Sequence, residues 1–471
     1  MLDVLHNAIN FVSGILYQPY IVPLFLFATG VWFTVRTKFI QFRLFKEACS
    51  VIMDKPENKG GISSFGALMV STASRVGTGN IIGVSTAICL GGPGAIFWMW
   101  ITALLGGASA FIEATLAQIY KKNDKDGTFK GGPAFYMEQA IGQRWLGVIF
   151  SIIIILIYAL GYNLLASYNL QSTFEVFSFY NKATSFIIGA ILMVLFGIIV
   201  IGGAKRLVKV TEYLVPVMGL IYVAVSLVVL VINIKSIPSM FGMIFRSAFD
   251  FKSIFGGFTG SCVMWGIKRG LYSNEAGMGS APNAAAKADI SHPAKQGLVQ
   301  MLSVFIDTLL ICTASAFMYL ISGVEPDAEM AGALYVQTSM KAVLGGFGPV
   351  FLSIAMSLFA FTTLIGNYSY CEGCLEFILK RDAKKWELVT FRIVATIIVF
   401  VGAIASAGLV WDLADMLQGL AVIINIPVIL IIGRTAVKCL NDYTKQKKEG
   451  KTPVFKASDI GLNSEKLDCW K

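Results

Sequence analysis

His6 and His292 are the only histidines in 471 residues, so a histidine-built metal centre has almost no material to work with. Charged residues amount to 14%, against 56% hydrophobic ones and a mean hydropathy of +0.71. That balance excludes a soluble globule and implies an integral membrane protein. No G-x-x-x-x-G-K-[ST] loop is present to cradle a nucleotide, and no G-x-S-x-G turn or catalytic carboxylate pair stands out for hydrolysis. The expectation is therefore a protein that is not an enzyme and carries no cofactor. An ion channel is disfavoured too, because no filter-like repeated carbonyl loop is found. The eight cysteines sit mostly in apolar runs and read as free thiols. Cys371 and Cys374 form a C-x-x-C without a second pair nearby, which favours helix packing over a metal or redox role. The opening "MLDVLHNAIN" has no basic n-region, so the first apolar stretch is expected to stay as a span.

Long apolar runs dominate what is there. Stretches of about 20 residues, enough to cross a hydrocarbon core of about 30 Å as helix, lie near 14–35, 63–90, 93–119, 146–172, 184–203 and 211–233. Further runs near 253–280, 296–322, 346–379, 388–407 and 410–433 bring the count to eleven. Their continuity argues for helices rather than a barrel, so the expected class is all-α. With the N-terminus outside, the outer segments hold only Lys182, Lys235, Arg246, Lys252 and Lys341, and Arg75 lies within a span. Every other lysine and arginine then falls on the inner side, which the positive-inside rule reads as N-out, C-in. The net charge of +10 is thus a topology signal and implies no nucleic-acid partner. Residues 38–52 and 327–345 read as interfacial amphipathic helices, inner and outer respectively. The basic tail after 435 is expected to be loosely ordered.

Residues 74–80, "SRVGTGN", fall at the midplane of the second run. Gly77 and Gly79 each lower helix preference by about 1 kcal/mol relative to alanine, and Ser71, Thr72, Ser74 and Thr78 offer competing local hydrogen bonds. Non-helical backbone at that depth needs protein or a polar cavity to satisfy it. Freed carbonyls can hold a cation and freed amides a carboxylate. A seam of small residues between helices is the alternative, but Arg75 and Asn80 flank the glycines, and an intramembrane charge is a functional hypothesis by default. A second glycine-interrupted run, 260–282, stands five spans later, with the interruption expected at Gly266. Paired interruptions point to inverted repeats. The expected units are 1–62 (extra span and inner helix), 63–233 and 234–435 (two five-span repeats), and 436–471 (basic tail). Thr362 and Thr363 lie at the depth of the first interruption, where neutral hydroxyls suit a hard monovalent cation; a bond back to their own helix is the alternative.

"RVGTGNI" (75–81), "GGPGAIFWMWITALLG" (91–106) and "RGLYSNEAGMGSAPNAAA" (269–286) resemble the alanine or glycine:cation symporter family, and the likeness runs over roughly 10–440. It implies a five-plus-five inverted-repeat core of the leucine-transporter (LeuT) type with one extra N-terminal helix, in the plasma membrane. It further implies inward carriage of small neutral amino acids with sodium, with no obligatory protein partner. Carried over residue by residue, carbonyls of Ala73, Val76 and Phe359 with the hydroxyls of Thr362 and Thr363 would hold sodium. Amides at Thr78 and Gly79 would hold the substrate carboxylate, and Asn80 would brace the break. Arg75 would stand in for a second sodium, giving one sodium per substrate, or would pair with Asp307. Asn163 is the expected substrate contact, Trp265 beside Gly266 the expected pocket cap, and Glu113 a packing or gating acid. Family members often have glutamine where this chain has Ala166, which leaves serine or glutamine open as the preferred substrate. A proton-coupled permease using Glu113 or Asp307 is the rival reading.

Overall fold

The computed structural model describes residues 2–58, 61–124, 128–250, 257 and 260–470. The start of the expected span at 253, and Lys252, lie outside them. Among the described residues, eight helices are long and apolar enough to cross a membrane. They are α6 (Ala95–Ile119), α7 (Arg144–Ser172), α8 (Lys182–Ile201), α9 (Arg206–Ile232), α12 (Pro293–Leu320), α14 (Phe347–Leu379), α15 (Lys385–Ala403) and α16 (Ala407–Lys448). Between them stand shorter pieces: α1 (Leu2–Leu16), α2 (Val22–Arg36), α3 (Phe45–Val51), α4 (Ser64–Arg75), α5 (Gly79–Gly91), α10 (Ile237–Ala248), α11 (Cys262–Asn274) and α13 (Ala333–Leu344).

Burial separates centre from rim. In α12 and α14, 72% of the apolar window is buried inside the protein, against 28% in α8 and α9 and 22% in α15. The well-buried helices surround α4, α5 and α11, whose described side chains are almost all inside. Rim helices turn their leucines, isoleucines and valines outward, as lipid permits.

Several expectations change in detail. The run from 14 to 35 is two helices, because Pro19 in the "YQPYIVP" turn ends α1 before α2 begins. Lys38 and Phe39 are left-handed, so the inner amphipathic segment is a short turn of helix, Ile40–Arg43, followed by α3. The outer amphipathic segment becomes Ala328–Met330 and α13. Lys268 and Arg269, counted above with the inner side, lie in helix α11. The boundary at 435 falls inside α16, which continues unbroken to Lys448. Nor is the tail loose: Phe455, Ile460, Leu467 and Trp470 are buried, because a few apolar side chains spaced along a polar strip are enough to dock it. Loop charges gather at one end of the bundle, joined by Lys130–Asp382, Arg392–Glu372, Lys295–Asp54 and Lys447–Glu47 pairs. We call this the basic end.

Candidate functional site

Helix α4 stops at Arg75. Val76 leaves the helical region (φ −77°, ψ 88°), Gly77 follows it, and α5 opens as a π-turn over Gly79–Gly83. The interruption is thus confined to Val76 and Gly77. The neighbouring helix α14 explains the glycines at this spot. A Cβ on Gly77 would lie 1.9 Å from Thr363 Oγ1, and one on Gly366 would lie 2.4 Å from the amide nitrogen of Ser74. Backbone and hydroxyl approach each other more closely than any side chain would allow.

Around the break the polar groups form a network. The Gly77 amide donates to Asn80 Oδ1 at 2.7 Å, so Asn80 holds the freed backbone. Its Nδ2 donates to Ser273 Oγ at 3.0 Å and to Asp307 Oδ1 at 2.7 Å. Ser273 and Thr308 donate their hydroxyls to Asp307 Oδ2 at 2.6 and 2.7 Å. Asp307 is therefore committed to Asn80, Ser273 and Thr308. The Asp307 partner expected for Arg75 is accordingly wrong. Arg75 Nε faces Glu275 Oε2 at 3.9 Å, and its NH1 donates to Gln300 Oε1 at 3.3 Å.

The second interruption exists but sits later than expected. Helix α11 runs through Trp265 and Gly266 to Asn274. The chain then turns at Glu275 (φ +56°), Gly277 (φ +86°) and Gly279 (φ +80°) before the short helix Pro282–Ala285. Gly266 is a packing glycine instead: a Cβ there would lie 2.6 Å from Trp98 Cβ and 2.7 Å from the Ala95 carbonyl oxygen of α6. Trp265 is half-buried against Gly91, away from the turn. Glu113 of α6 reaches the true interruption, accepting from the Gly277 amide at 3.3 Å and from Asn425 Nδ2 at 2.9 Å. It thereby holds the second loosened backbone much as Asn80 holds the first.

The two threonines part ways. Thr363 donates to the Phe359 carbonyl at 2.8 Å and leaves its oxygen lone pairs beside Gly77. Thr362 donates to Leu358 and Phe359 carbonyls and lies against Met218 Sδ at 3.3 Å. Both are buried. Ala73 reaches α14 at Gly366. On the α7 side, Asn163 Oδ1 accepts from Asn367 Nδ2 at 3.1 Å, and Asn367 Oδ1 accepts from Ser74. Thr78 Oγ1 accepts from Asn169 Nδ2 at 3.1 Å, and Gly79 lies under the ring of Tyr272.

Sequence reasoning missed Glu275, Ser273, Asn169, Asn367 and Asn425. Glu275 had a legible signal, an acid inside a glycine-rich apolar run. It accepts from Ser74 and Ser280 at 3.1 and 2.7 Å, which with Arg75 links the two interruptions directly. Farther from the basic end, Asp415 pairs with Arg269 at 2.7 Å, and Arg269 stacks over Trp411 at 4.2 Å. The aromatic series Trp411–Tyr272–Tyr162–Tyr158 continues from there.

A family profile described as the sodium:alanine symporter family matches residues 2–457. The chain is 43% identical to the amino-acid carrier protein AlsT of Bacillus subtilis (strain 168), over 95% of this chain and 94% of that one. It is 42% identical to the probable sodium/glutamine symporter GlnT of the same organism, over 100% and 97%. Among solved structures it shares the fold of MhsT, crystallised with L-phenylalanine. The TM-score is 0.55 at 15% identity, with 84% of this chain and 91% of that chain covered.

Proposed function

The chain belongs to the sodium:alanine symporter family, and on that footing we propose that it carries small neutral amino acids, alanine or glycine foremost, together with sodium by alternating access. The observation that carries this reading is the seating of Gly77 against Thr363, which brings loosened main chain and a hydroxyl oxygen to one buried point. Sodium is assigned to the carbonyls of Ala73, Val76 and Phe359 with Thr363, and to Thr362 once it turns from Met218. The substrate carboxylate is assigned to the amides at Thr78 and Gly79, with Asn163 and Asn169 on the α7 side. Asn80 and Glu113 hold the two interruptions, and Arg75 with Glu275 joins them.

Counting α2 and the two interrupted segments with the eight continuous helices gives eleven crossings. The repeats then run from α4 to α9 and from α11 to α16, in opposite orientation, after one extra N-terminal crossing. The basic end faces the cytoplasm across the plasma membrane. Sodium bound between α4 and α14 ties the first interrupted helix to its neighbour and so orders the amides for the amino acid. Neither solute then crosses efficiently alone. The membrane potential adds about 2.3 kcal/mol per charge per 100 mV, so accumulation needs no nucleotide.

Uptake of labelled alanine into proteoliposomes tests the reading, with sodium or choline outside, with and without a pH gradient, and against competing glycine, serine and glutamine. A sodium gradient alone is expected to drive accumulation. Uptake that follows the pH gradient and ignores sodium would overturn it, and the competition panel ranks the substrates.

A further inference from the structure

Residues 451–470 follow a left-handed Gly450 and fold back along the basic end. Two hydrogen bonds join them to the loop after the second interruption: the Phe455 amide donates to the Ser291 carbonyl at 2.9 Å, and Ser291 Oγ to the Pro453 carbonyl at 3.0 Å. Farther on, Trp470 Nε1 donates to the Gln118 carbonyl at the end of α6 at 2.8 Å, and the Asn123 amide donates to Asp468 Oδ2 at 2.7 Å. Phe455 packs edge-on against both His292 and Trp470.

That loop is the junction of the basic end. Its Asp289 amide donates to the Ile62 carbonyl at 2.9 Å, and its Asp289 carboxylate accepts from the Asn58 amide at 2.7 Å. Ile62 and Asn58 belong to the segment that leads into α4, the basic-end half of the first interrupted helix. Lys121, 2% exposed, donates to the Ala288 carbonyl at 2.8 Å while its ammonium lies over Phe129 at 3.7 Å and near Trp470 at 5.2 Å. One strip of chain thus grips the end of α6 and the loop that holds the approach to α4. Glu449 and Gly450, which join the strip to α16, are exposed, so the strip can lift at that joint without unravelling the bundle.

We propose that residues 451–470 act as a strap that keeps the basic end closed, so that its release raises the population open on that side. Swinging α4 outward must break the Asp289–Ile62 and Asp289–Asn58 bonds, and the strap holds the Asp289 loop in the position where those bonds form. This assignment rests on the alternating-access reading above only for its functional meaning. The closure itself is a property of the contacts.

The test places a cysteine at Ile62 in the full chain, with Cys49, Cys89 and Cys469 replaced by serine, and follows its labelling by a membrane-permeant maleimide in proteoliposomes. Deleting residues 451–471, or substituting Trp470→Ala in the otherwise intact chain, is expected to speed labelling about fivefold, as a shift of the closed population requires. Sodium-dependent uptake at saturating alanine is measured alongside. Faster labelling with uptake retained supports the strap. Labelling unchanged in both variants overturns it, and so does faster labelling accompanied by a fall in thermal midpoint equal to that of general unfolding. If the deletion does not accumulate, Trp470→Ala decides alone. Loss of sodium dependence in the unaltered chain would instead sink the transport reading and leave the labelling result standing.

Discussion

Two residues carry sharply different demands for space and charge. Gly77 has no room for a methyl group, because Thr363 Oγ1 occupies the place where one would go. Gly77→Ala must push α14 away from the break, and overpacking of this kind costs about 1–3 kcal/mol. If that strain falls on the sodium-bound form, the sodium concentration for half-maximal uptake rises by about tenfold or more, which a sodium titration of alanine uptake would read. Arg75 poses a problem of charge, since Glu275 and Gln300 are its partners while Asp307 is bound elsewhere. Glu275→Gln strands a buried guanidinium, a loss of about 3–5 kcal/mol. Adding Arg75→Gln should restore much of it. The same addition to Asp307→Asn should give no such recovery, and unfolding midpoints of the purified variants in detergent would separate the two cases.

Among the elements, glycine content alone could not say which segment was interrupted where. Gly266 and Gly277 look alike in sequence, yet Gly266 meets the backbone of α6 inside a continuous helix while Gly277 sits at φ +86°. Only the neighbouring helix distinguishes close packing from a turn, and that neighbour is invisible to local propensity. The first interruption was legible because its glycines stand beside Arg75 and Asn80 in the middle of a long apolar run. Its tie to Thr363 was also legible, through depth. The different surroundings of Thr362 were not, since Met218 comes from a helix far away in sequence. Gly266→Ala is accordingly expected to lower the unfolding midpoint, by the same 1–3 kcal/mol of overpacking, and to leave alanine affinity within about twofold. A large loss of affinity with an unchanged midpoint would return Gly266 to the substrate pocket. The tail escaped notice for a related reason. Its lysines advertise solvent, whereas the contacts that dock it come from Phe455 and Trp470 at its two extremes.

At the scale of the whole molecule, burial pulls Lys121 down from 10.5 to about 8, with Cys469 of the tail and Asp289 of the loop acting in the opposite direction. An undocked tail exposes this amine and lets it bind protons more strongly, so docking is weaker while the amine is charged and strengthens as pH rises through 8. Between pH 7 and 9 the docking equilibrium should improve by up to about tenfold. The fluorine signal of 5-fluorotryptophan at position 470 would report it, and Lys121→Met should flatten the response. The rest of the molecule is joined through Asn80, whose carboxamide oxygen takes the Gly77 hydrogen while its nitrogen serves Ser273 and Asp307. A carboxylate that arrived at the neighbouring Thr78 and Gly79 amides and drew the Gly77 hydrogen as well would leave that oxygen idle and free the whole group to rotate, loosening its grip on α11 and α12. Asparagine is then a messenger with two hands. An aspartate there could still receive the news from Gly77, but without an N–H it would have no means of passing it on.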